Sequence, residues 1–213
     1  MDLDSSNNTI TLYHGSANEV RKPIFGFGNR GNDYGLGFYT TQDYAIAGEW
    51  AVRSPEDVDG RDGFINEYRF DLNNLTMLDL TQQDIDKWIA ILMVHRTGRY
   101  SAAQKRVLDE FVEHRYMGDE SHYDVVKGWR ANDSYFRFAL DYALRLISQD
   151  ELKQAVALGN LGEQIVLMSH KAFDNIEFIG SHSALAGEYY LSALKRDANA
   201  RKAYEDIISG RKA

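Results

Sequence analysis

Thr9-Ile10-Thr11-Leu12-Tyr13-His14-Gly15-Ser16 is the stretch from which the rest of the chain is read. Thr9 to Tyr13 alternates polar and apolar side chains, as a strand with one buried face does. It ends on His-Gly-Ser, a polar ring beside a backbone that glycine leaves open to close approach. Strand patterns recur at both ends of the chain. Phe64, Tyr68 and Phe70 alternate, and Leu75 to Leu80 follows. Glu163-Gln164-Ile165-Val166-Leu167-Met168 and Asn175-Ile176-Glu177-Phe178-Ile179 flank a turn-like Lys171-Ala172-Phe173-Asp174.

Between these ends, residues 82 to 157 read mainly as helices. Phe136, Ala139 or Leu140, Ala143 and Ile147 fall on one helical face, and His122 to Gly128 interrupts the block as an extended segment. Thr41 is placed to cap a helix through Tyr44, Ala47, Trp50 and Ala51. A last helix is expected over 184–209, with a charged face and no strong partner signal. The pattern predicts an α+β fold in one domain spanning 1–213, with a helical insertion over 82–157.

Composition narrows the chemistry. The 213 residues carry a net charge of -8, which opposes a nonspecific grip on nucleic acid. There is no cysteine, so disulfides, thiolate nucleophiles and Cys-ligated metals are excluded. No tight His/Asp/Glu cluster suggests a metal. The longest apolar run, Ile89-Ala90-Ile91-Leu92-Met93-Val94, falls far short of the roughly 20 residues that span a bilayer. The start, Met1-Asp2-Leu3-Asp4, has neither the basic nor the apolar region of a signal peptide. A soluble, cytoplasmic protein is expected.

Three places concentrate polar groups suited to a site. His14 closes the first strand. Gly26, Gly28, Gly31, Gly35 and Gly37 make a loop that ends in Phe38-Tyr39-Thr40, without either of the glycine fingerprints for phosphate. Glu163 opens an otherwise apolar strand. Each has an ordinary structural explanation: a surface or core histidine, a plain loop, an edge carboxylate. Asn132 and Asp133 divide evenly between helix capping and a ligand role. His95, His114 and His122 are expected at the surface or in packing, and Trp88, Trp129 and Phe136 in the core or at a partner contact.

Taken in order, Leu12-Tyr13-His14-Gly15-Ser16, Gly35-Leu36-Gly37-Phe38-Tyr39-Thr40-Thr41 and Glu163-Gln164-Ile165-Val166 resemble the three-part signature of the His-Tyr-Glu ADP-ribosyltransferases. That superfamily includes poly(ADP-ribose) polymerases and diphtheria-type toxins. The resemblance covers residues 10 to about 180. It is closest to an uncharacterised bacterial family often encoded beside an antitoxin-like partner, to which Tyr123 to Asp133 is also similar.

The resemblance implies a split β-sheet core and a NAD-dependent mono-ADP-ribosyltransferase that needs no metal, the toxin of a toxin–antitoxin pair. By that resemblance His14 binds the adenine-side ribose and the Gly15 backbone holds the carboxamide. Ser16 and Thr40 join the cofactor contacts, and Tyr39 and Trp50 sandwich the nicotinamide. Glu163 then binds the ribose 2′-hydroxyl and stabilises the oxocarbenium-like charge.

The resembling bacterial family often shows Gln where this chain has Gln164, so Gln164 competes with Glu163 for that last role; neighbours on a strand face opposite ways, so both cannot face NAD equally, and the polymerase wording favours Glu163. Leu161, where arginine-modifying relatives carry Glu or Gln, disfavours an arginine acceptor. A macromolecular acceptor is expected from the resemblance, the acidic charge tilting slightly to protein; nucleic acid and a small molecule stay open. A binder of NAD or of a partner, without chemistry, and a NAD glycohydrolase are the competing readings.

Overall fold

The strand that begins at Thr9 runs to Ser16 (β1) and pairs along its whole length with β3 (Gly63–Asp71). β3 in turn pairs with β7 (Ile176–Ala184), which gives a three-stranded antiparallel sheet in the order β1-β3-β7. A second sheet has the order β2-β6-β5-β4, from Phe38–Thr40, Glu163–Leu167, Val125–Trp129 and Met77–Asp79. Its pairs are antiparallel except β4 with β5. The computed structural model describes residues 8–53, 62–97, 100–116, 118–131, 133–159 and 162–210.

One bridge ties the sheets together. Tyr13 and Thr41 exchange backbone hydrogen bonds of 2.7 and 2.9 Å, so the end of β1 lies beside the end of β2. Leu12, Phe38, Tyr68, Phe70, Val125, Ile165 and Leu167 fill the space between the two sheets. Val126 and Val166 point the other way, into a larger core built with the helices. The period-two alternation of β6 thus serves two cores, which is why its interior is apolar at every position after Gln164.

The helical block is α2 (Ile85–His95), α3 (Ala102–Glu113), α4 (Asp133–Ala143) and α5 (Gln149–Gly159). Asp84 caps α2, and Ser101 with Gln104 forms a capping box on α3. The apolar run from Ile89 is the buried heart of α2, and Phe136, Ala139, Leu140, Ala143 and Ile147 are all buried as their spacing predicted.

Three local expectations are corrected. α1 (Tyr44–Ala51) is capped by Asp43, whose carboxylate accepts from the amides of Ala45 and Ile46. Thr41 instead donates its hydroxyl to the Glu163 carbonyl. The supposed turn at 171–174 is a short helix, α6 (His170–Asp174), capped by Ser169. β7 continues to Ala184, five residues past the alternating apolar segment, because pairing with β3 holds it and its other edge can stay polar.

The last helix, α7 (Ala186–Ser209), packs on α1, α4 and α5. Its Tyr204 stacks on Phe138 at 4.0 Å and donates to Asp141. No described helix is long and apolar enough to cross a membrane.

Candidate functional site

The bridge between β1 and β2 brings His14 over the backbone of Tyr39. His14 Nδ1 lies 2.7 Å from the Tyr39 carbonyl. A carbonyl can only accept, so Nδ1 carries the proton and Nε2 keeps a lone pair. Burial lowers the His14 pKa against the opposing pull of that hydrogen bond, which keeps the ring neutral.

Tyr39 fastens the glycine-rich loop. Its hydroxyl donates to the Gly35 carbonyl (2.8 Å) and accepts from the Tyr34 amide (2.9 Å). Gly35 sits at φ +75°, and a Cβ there would come within 2.7 Å of the His95 ring, so both backbone and space demand glycine. His95 itself bonds Glu120 at 3.0 Å and has a packing role.

The pinned loop drives Asp33 inward, where it is 8% exposed. Its carboxylate accepts from the Ala131 amide (2.8 Å), Gln164 Nε2 (2.8 Å) and Arg96 Nη1 (3.1 Å). Burial raises its pKa, and these three donors pull it back down in part. Asp33 is therefore the hub that joins the loop, β6, α2 and the segment after β5.

Around this hub lies a cavity of about 660 Å³. His14, Gly15 and Tyr39 line one side, Trp50 and Glu49 of α1 another, and Asp33, Arg96, Arg130 and Gln164 the rest, with Asn29 to Asn32 of the loop at the mouth. Gln164 is 3% exposed. Its amide nitrogen is spent on Asp33 and, at 3.3 Å, on the Trp129 carbonyl, so its oxygen is the atom left to accept. Trp50 Nε1 is buried without a hydrogen-bond partner among the described residues.

The structure thus brings together His14, Gly15, Tyr39, Trp50 and Gln164, and parts them from the remaining candidates. Glu163 does not face this cavity. It points off the opposite face of β6, its side chain 46% exposed, with Lys127 Nζ 2.9 Å from Oε2. There it lines two other cavities of similar size, one of about 640 Å³ along Thr41 to Tyr44 and one of about 600 Å³ beside Trp129 and Lys153.

Ser16 turns to Asn18 and Asn66, away from the cavity. Thr40 is fully buried and donates to the Ile165 carbonyl at 2.6 Å. Gly15 has a packing duty as well, since a Cβ would fall 1.8 Å from the Ala47 carbonyl oxygen. Asn132 and Leu161 lie outside the described residues, and Asp133 opens α4. Among the described residues no three His, Asp or Glu side chains group to hold a metal ion.

Asp33, Glu49, Arg96 and Arg130 escaped the sequence reading. Two signals were available. Asp33 is the single acid in the glycine-rich loop, and Arg130 lies in the Tyr123–Asp133 segment already singled out.

The sequence model of one family, described as Protein of unknown function (DUF3990), matches residues 10–178. The chain belongs to that family. No curated protein and no solved structure matches it.

Proposed function

We propose that this member of the DUF3990 family is a NAD-dependent mono-ADP-ribosyltransferase acting in the cavity around His14, Tyr39, Trp50 and Gln164. One observation carries the reading. Side chains from β1, β2, α1 and β6, distant in sequence, line a single cavity of about 660 Å³, within the usual range for a small-molecule site.

In this reading NAD supplies the ADP-ribosyl group and nicotinamide as the leaving group. Neutral His14 offers Nε2 as an acceptor for a ribose hydroxyl, with the Gly15 backbone beside it. The rings of Tyr39 and Trp50 hold the nicotinamide flat and fix its orientation. Gln164 accepts from the ribose hydroxyl next to the reacting carbon. Asp33 is its positioning residue, because the carboxylate holds the amide hydrogens and so turns the oxygen outward. Glu163, on the opposite face, has no part in this scheme.

The second reading is a binder that leaves the dinucleotide intact. The specific observation in its favour is that β6 presents an amide, Gln164, and no carboxylate to the cavity. An amide stabilises developing positive charge less than a carboxylate does.

Incubation with adenylate-labelled NAD and a cell lysate separates the possibilities. Transfer of label to protein with release of nicotinamide is the expected result. Release without transfer makes the protein a glycohydrolase, and binding with neither makes it a binder. The proposed toxin role is read by growth arrest on expression, relieved by Gln164→Ala and by a co-expressed antitoxin.

A further inference from the structure

The charges at the cavity wall do not balance. Asp33 is taken by Arg96, and Glu49 is taken by Arg196 of α7, whose Nε lies 3.1 and 3.2 Å from the two carboxylate oxygens. Arg130 is left over. Among the described residues its guanidinium makes no hydrogen bond or ion pair. Its one recorded contact is the face of Trp50, with Cζ 5.2 Å from the ring centroid. Among the described residues, Asp33 and Glu49 face Arg96, Arg196 and Arg130, and Asp197, which also acts on Arg130, is paired with Arg201, so one positive charge is locally in excess in a chain whose net charge is -8.

That arrangement is costly without a ligand. Burial lowers the Arg130 pKa, with Glu49, Asp33 and Asp197 opposing and Arg196 adding to the fall, yet an arginine stays charged. A desolvated guanidinium with an empty donor fork calls for an acceptor of matching shape, and phosphate oxygens match it in two-point fashion. The indole face on its other side leaves the fork edge as the open direction.

Glu49 explains why the fork stays open. It is the carboxylate that most opposes the fall in the Arg130 pKa, and Arg196 holds both of its oxygens. Arg196 lies on α7, beyond the residues that the family match covers.

We propose that Arg130 forms an anion subsite for a diphosphate group, and that Arg196 keeps it open by occupying Glu49. The subsite rests on the dinucleotide reading only for its natural ligand; the chemistry it recognises is diphosphate, from a dinucleotide or from free pyrophosphate.

Calorimetry on the full chain with inorganic pyrophosphate, ADP, adenosine and NAD tests it. Wild type is expected to bind ADP and pyrophosphate, and Arg130→Met to weaken both by about 10- to 100-fold, the worth of a charged hydrogen-bonded contact. Arg196→Met is expected to weaken them comparably, and adding Glu49→Gln to Arg196→Met to restore them. ADP or pyrophosphate bound equally by wild type and Arg130→Met overturns the proposal, as does failure of wild type to bind either.

Should Arg130→Met not fold, pyrophosphate must protect Arg130 of the wild type from phenylglyoxal, read by mass spectrometry; no protection overturns it. Arg130-dependent ADP binding without NAD binding or consumption sinks the dinucleotide reading alone. NAD consumed with unchanged KM by Arg130→Met sinks the subsite alone.

Discussion

Glu163 and Gln164 are consecutive on β6 and inhabit opposite worlds. Gln164 is buried, with its amide clamped between Asp33 and the Trp129 carbonyl. Glu163 stands half in solvent and pairs with Lys127, whose burial disfavours its charge but whose two acidic neighbours, Glu163 and Asp79, raise its pKa overall. The cavity face gathers charge that packing has paired, Arg130 apart, and the outer face gathers charge that water already satisfies. An ion pair of the second kind contributes about 0–1 kcal/mol. A buried one is expensive to break, because the survivor is stranded. The carboxylate therefore stands on the outer face of β6, and the amide beside it on the face of the His14 cavity.

The sharpest way to break this contrast is at its hub. Asp33→Ala removes the buried carboxylate that Arg96, Gln164 and the Ala131 amide share and should cost about 3–5 kcal/mol in denaturant unfolding. A loss as small as that of a surface carboxylate would show that the cavity face is no more charge-dependent than the outer one.

Gln164→Ala should lower NAD turnover by about 10²- to 10³-fold, the effect of removing one preorganised polar group, while Glu163→Ala changes it less than threefold on the order of surface substitutions. The reverse ranking would return the catalytic role to Glu163. Gly15→Ala drives a methyl into the backbone of α1 and should destabilise by about 1–3 kcal/mol, seen as a fall in Tm. An unchanged Tm would mean that α1 can withdraw from β1.

His14 provides a gentler probe. Its folded pKa is depressed, so below the unfolded value of about 6.5 the unfolded chain binds a proton that the folded ring resists. Stability should fall as pH drops from about 6.5 until the folded pKa is passed. His14→Gln should flatten that slope relative to wild type; identical slopes would place His14 in water. The smallest effect is expected at Glu163→Ala, within about 0.5 kcal/mol of wild-type stability.

Local pattern was enough for much of this molecule. Alternation over Thr9–Tyr13 and Phe64–Phe70 and the apolar run Ile165–Leu167 mark strands that the structure contains, and the 3.6-residue spacing of Phe136, Ala139 and Ala143 marks α4 and its buried face. His14, Tyr39 and Trp50, singled out through the family resemblance, line one cavity. The strand and helix signals depend on neighbours along the chain and are local.

What only the tertiary structure decided depends on contacts across the chain. A period of two says that Glu163 and Gln164 face opposite ways; it does not say on which side the cavity lies. That was settled by the Tyr13–Thr41 bridge and by the helices packed on Val126 and Val166. Likewise Asp33 reaches Gln164 across 131 residues and Arg196 reaches Glu49 across 147. Asp33, Glu49 and Arg196 each read alone as an ordinary surface charge. Burial makes their pairing obligatory, and burial exists only once the sheets and helices have closed around them.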